Sequence, residues 1–60
     1  MIKKMTADEY LFMNGQLNGI DPDYYNEVKD SCHDQGWLDA FGLVTRRGQQ
    51  AIDRFAKDTF

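Results

Sequence analysis

Apolar positions along this chain fall into three stretches with helical spacing and one short stretch without it. The first, "ADEYLFMNGQL", puts Tyr10, Leu11, Asn14 and Leu17 on one face and leaves Phe12 and Met13 off it. Thr6 stands at the N-cap, and Glu9 three positions later completes a capping box. The pattern predicts a helix over about 6–17 that closes at Asn18–Gly19, with Gly15 weakening its last turn. The second stretch opens on Asp21 as cap and Pro22 at the first helical position, where a missing N–H costs nothing. Tyr24, Tyr25, Val28, Ser31, Cys32 and Gln35 then follow helical spacing, which predicts a helix over 22–35 closed by Gly36. The third has Thr45 as its cap and a stripe of Ala51, Ile52, Phe55 and Ala56, predicting a helix over 46–57.

Between the second and third patterns lies "WLDAFGLV". Its apolar pairs, Trp37–Leu38 and Leu43–Val44, are separated by the turn residues Asp39 to Gly42, which predicts a short hairpin over 37–44. The expected fold is mainly α: helix, helix, β-hairpin, helix, in one compact domain over 1–60. "GWLDAFGLVTRRGQQAIDRF" resembles the end of a winged-helix domain. It has a Gly-x-Leu strand, a wing, and then Leu43, Val44 and Thr45 followed three residues later by Gly48, opening the last helix. The resemblance covers about a third of the chain and implies a reduced winged helix, with two helices before the wing where the family has three and the wing shortened to a turn. In overall style the chain is also similar to small orphan proteins of temperate bacteriophages.

Size limits what such a chain can hold. Sixty residues form one core, and a domain of this length buries only about 60% of the surface its unfolded chain exposes. Cys32 is the single cysteine, so no internal disulfide can staple the fold. Stability must come from helix packing or self-association. Cys32 and His33 are adjacent, and neighbouring helical positions point about 100 degrees apart. With no second histidine or cysteine, neither a metal centre nor a thiol dyad is expected. No catalytic constellation and no cofactor motif stands out, so the expectation is a non-enzyme. No apolar run reaches the roughly 18 residues of a membrane span, and "MIKKMTADEY" has no signal-peptide pattern. A cytoplasmic location is expected, the host cytoplasm if the chain is phage-encoded.

The net charge of -3 conceals a segregated distribution. Residues 21–40 carry six acids against Lys29 alone, whereas residues 41–60 carry Arg46, Arg47, Arg54 and Lys57 against Asp53 and Asp58. In winged-helix relatives the helix before the wing reads the DNA major groove. Here that helix would present Asp23, Glu27, Asp30 and Asp34 to a polyanion, so the resemblance does not carry that mode over. The acids suit steering of a protein partner instead. Phe12 and Met13, off the packing face, and Phe41, in the turn, are the expected apolar anchors. The expected function is therefore a non-catalytic protein-binding module, of the phage-type regulatory or accessory kind, with homodimerisation through the same patch as a further outcome. The alternative is weak nucleic-acid binding through Lys3, Lys4, Arg46, Arg47, Arg54 and Lys57. Within that set Arg47, Arg54 and Lys57 share one polar helix face with Gln50.

Overall fold

The computed structural model describes residues 4–59 and is mainly helical, with α1 (Ala7–Met13), α2 (Pro22–Asp34) and α3 (Arg46–Thr59). All three helix starts follow the expected chemistry. Thr6 Oγ1 accepts from the Glu9 N–H at 3.1 Å, and Glu9 Oε1 accepts from the Thr6 N–H at 2.8 Å. Asp21 Oδ1 accepts from the Asp23 N–H at 2.8 Å. Thr45 Oγ1 accepts from the Gly48 N–H at 3.1 Å. Each contact satisfies a donor that a helix start otherwise leaves unpaired.

The end of α1 is a correction to the expected span of about 6–17. The helix stops at Met13, with Asn14 as cap and Gly15 at φ +71°. The Gly15 N–H donates to the Phe12 carbonyl at 3.0 Å and the Gln16 N–H to that of Leu11 at 2.8 Å. These two bonds form a Schellman motif, which glycine closes without steric cost. "NG" occurs twice, and the first copy ends the helix. Leu17 is still buried, but from the segment after the helix. Asn14, expected on the packing face, is exposed and donates to the Tyr10 carbonyl at 2.8 Å.

The short α1 touches both α2 and α3 and so covers a wider apolar arc than one stripe. Leu11, Phe12 and Met13 all pack against the core. Phe12 meets Tyr25 edge-on at 5.2 Å between centroids, and Tyr10 stacks on Phe55 at 4.7 Å. The buried centre is Met5, Leu17, Val28, Cys32, Trp37 and Leu38. Tyr24 and Tyr25, read as part of an apolar face, lie at its exposed rim. Glu9 is only 3% exposed, and its Oε2 accepts from the Ser31 hydroxyl at 2.7 Å. One carboxylate thus caps α1 and ties it to α2.

α2 ends one residue before the expected boundary, in a second Schellman motif. Gly36 at φ +79° donates to the His33 carbonyl at 3.0 Å, and Trp37 to that of Cys32 at 3.1 Å. The hairpin expected over 37–44 is not formed as a strand pair. Among the described residues there is no strand, only an isolated antiparallel bridge between Leu38 and Val44. The Thr45 N–H donates to the Trp37 carbonyl and the Asp39 N–H to the Leu43 carbonyl, both at 2.9 Å, and these two bonds frame the bridge. The pairing goes no further because the Trp37 N–H already closes α2 and Thr45 is already the cap of α3. One residue on each side is left to pair. Past the turn, Leu43 and Val44 are exposed rather than buried against Trp37–Leu38.

α3 runs to Thr59, two residues beyond the expected end. Its stripe of Ala51, Ile52, Phe55 and Ala56 is half-buried as the spacing predicts. Its first turn is pinned twice more. The Thr45 hydroxyl donates to the Gly36 carbonyl at 2.6 Å, and Gly48 is buried against the Trp37 carbonyl.

Candidate interaction surfaces

Asp39 builds the most prominent feature of the surface. Its Oδ1 accepts from the N–H groups of Phe41 (2.8 Å) and Leu43 (3.0 Å), and its carbonyl accepts from the Gly42 N–H at 3.0 Å. An aspartate that hydrogen-bonds the backbone ahead of it, followed by a glycine at φ +80°, fixes a tight reversal. The reversal holds Phe41 outward at 88% exposure and Leu43 at 64%, with Val44 beside them. Among the described residues Tyr10, Phe12, Trp37 and Phe55 are packed in or against the core, whereas the Phe41 ring takes no part in it.

Of the other two expected anchors, Phe12 and Met13 are partly buried and packed on the core. Neither joins Phe41 as an exposed group, although Met13 Cε and Val44 Cγ1 both lie 3.0 Å from where a Cβ on Gly48 would stand. Leu43 and Val44 take that place, and sequence reading missed them because an apolar pair after a turn looks like an inward strand. The available signal was the Thr45 cap one residue later, which leaves no length for a strand.

Asp23, Glu27, Asp30 and Asp34 are all exposed on α2. Their spacing of four, three and four residues lines them along one stripe of the helix. A cleft of about 180 Å³ separates that helix from the turn, bordered by Lys29, Asp30 and His33 on one side and Leu38, Asp39 and Phe41 on the other. Cys32 is fully buried while His33 is exposed, so the two do not face a common space. Among the described residues no group of three or more His, Cys, Asp or Glu could hold a metal ion, and no helix is long and apolar enough to cross a membrane.

The cationic residues divide. Lys4, Arg47 and Arg54 line one open groove of about 1280 Å³ beside Trp37, Phe55 and Gln50, and Asp34 and Asp58 line it too. Arg46 and Lys57 are exposed but do not line it, and Lys3 lies outside the described residues. Arg47 also has a structural seat. Its Cδ and a guanidinium nitrogen lie 3.5 and 3.4 Å from where a Cβ on Gly36 would stand. That places the cation against the C-terminal end of α2, where the helix dipole favours positive charge. An arginine in the first turn of α3 opposes that helix's own dipole, and the end of α2 offsets the mismatch.

A polar link joins the first turns of α1 and α2, where the Tyr24 hydroxyl donates to the Asp8 carboxylate. That bond holds the phenol above its usual pKa of 10.0, with desolvation and the charges of Asp8, Glu27 and Glu9 adding to it. A pKa raised on folding contributes stability below pH 10 that is lost as pH rises through the folded value. The phenolate absorbance that Tyr24→Phe removes, taken as a difference from wild type, should titrate above pH 10. A difference curve centred at or below that value would show that the link does not persist in solution.

No protein-family model, curated protein or solved structure matches the chain.

Proposed function

We propose that this chain is a small, non-catalytic protein-binding module that engages its partner through the Phe41–Leu43–Val44 turn. The carrying observation is the presentation of Phe41, a nearly fully exposed aromatic on backbone locked by the Asp39 side chain. Exposed apolar groups held in one geometry lose little freedom on binding, which is the quality of a good anchor. The acidic stripe of α2 lies across a cleft from the turn and supplies steering. The reduced winged-helix resemblance and a phage-type regulatory role belong to this same reading.

The rival is nucleic-acid binding at the groove of Lys4, Arg47 and Arg54. It is favoured by three cations gathered in one place and disfavoured by Asp34 and Asp58 in the same lining. Site-specific photocross-linking separates the two readings. A benzophenone side chain at position 41, in cells producing the protein, should yield one discrete protein adduct that the same group at exposed position 49 does not. Phe41→Ala should change folding stability by less than about 0.5 kcal/mol, since the ring packs on nothing it would lose. A silent position 41 together with nucleic-acid adducts from position 47 would transfer the function to the basic groove.

A further inference from the structure

The cleft beside the Phe41 turn carries the identification one step further. Resting on the protein-binding reading above, we infer that the partner element is a cationic amphipathic segment of another protein. Its apolar side chains cover Phe41 and Leu43, and one lysine or arginine enters the cleft between the turn and α2.

Size, lining and charge agree on this occupant. At about 180 Å³ the cleft is smaller than the roughly 300–1,000 Å³ pockets that take whole small molecules, and it suits one extended side chain. Leu38 provides an apolar wall for an aliphatic stem, and Phe41 provides an aromatic border for a cation. The carboxylates of Asp30 and Asp39 outnumber the ammonium of Lys29 at its border. Beyond the cleft, Asp23, Glu27 and Asp34 extend the negative stripe along the rest of α2, so basic residues repeated at helical spacing would meet an acid at each turn. A second copy of this chain would instead bring the same acidic stripe and a net charge of -3 to the contact. An acidic or neutral apolar segment could cover Phe41 but would leave the stripe unanswered.

The test uses the full chain and three short synthetic probes: an amphipathic helix of leucine and lysine, its leucine–glutamate counterpart, and oligolysine. Amide NMR titrations near physiological salt should show the leucine–lysine peptide shifting residues 38–44 together with the stripe of α2, with little response to the other two. Phe41→Ala should weaken that binding about tenfold, as for a central anchor. Glu27→Gln combined with Asp30→Asn should weaken it about fivefold, as expected for two partly solvated ion pairs. All three side chains are exposed, so each variant keeps the fold. Equal binding of the leucine–glutamate peptide, or indifference to the charge variant while Phe41→Ala still reduces binding, would overturn the cationic partner and leave the anchor reading standing. Binding indifferent to Phe41→Ala, with shifts confined to α2 or centred on Arg47 and Arg54, would overturn both.

Discussion

Trp37→Ala should unfold a large part of the population at room temperature. Trp37 is 2% exposed and sits where the end of α2 and the start of α3 depend on one short stretch of chain. Its N–H closes α2 on the Cys32 carbonyl, and its own carbonyl receives the N–H of Thr45, the cap of α3. Its side chain belongs to a core with only five other buried apolar residues among those described. Truncating a buried aromatic to alanine costs about 3–5 kcal/mol. At about 0.05–0.15 kcal/mol per residue, a domain of this length has about 3–9 kcal/mol in all. The loss is therefore comparable to the whole. Trp37 is the only tryptophan, so urea unfolding would be followed by far-ultraviolet circular dichroism. A variant that keeps a cooperative transition and loses less than about 2 kcal/mol would show that Met5, Leu17 and Val28 close over the vacancy.

The same residues show which parts of this molecule could be read from sequence. Caps are local: Thr6 with Glu9, Asp21 with Pro22, and Thr45 each act within three residues, and all three form as expected. The gathering of buried residues depends on which elements meet, and there periodicity was a poorer guide. Phe12 and Met13 looked stranded on a single-faced helix, but α1 lies against two partners and covers a wider arc. Two "NG" pairs competed to end α1, and composition alone does not rank them. The 37–44 segment has the composition of a strand pair, yet the Trp37 N–H closes α2 and Thr45 caps α3, so the pairing stops at a single bridge. The candidate site was half legible. Phe41 and the four acids could be named from the chain, whereas Leu43 and Val44 required knowing that Thr45 leaves no room for a strand. The seat of Arg47 was hidden because it lies at the end of a different helix.

Gly48→Ala should reverse the usual sign of its kind. In an exposed helix interior the change stabilises by about 1 kcal/mol, since glycine is the poorer helix former. Here a Cβ at position 48 would lie 2.3 Å from the Trp37 carbonyl oxygen and 3.0 Å from Met13 Cε and Val44 Cγ1. The methionine end and the valine can yield, but the carbonyl cannot. That oxygen is fixed by the Thr45 N–H at 2.9 Å, and Thr45 is fixed in turn by its hydroxyl on the Gly36 carbonyl. Relieving the clash means lifting the first turn of α3 and stretching the bonds that cap it. Overpacking of this kind costs about 1–3 kcal/mol, and the loss of capping contacts should push it to the upper end. Because the limiting contact is backbone, adding Met13→Ala and Val44→Ala should not restore stability. Exposed Gln50→Ala, one turn face away, should change it by no more than about 0.5 kcal/mol. A Gly48→Ala protein as stable as wild type in urea would mean that α3 does not rest on Trp37 in solution. The threonine-x-x-glycine spacing would then lose its structural reason, and the two arginines it carries would regain their claim as the purpose of that turn.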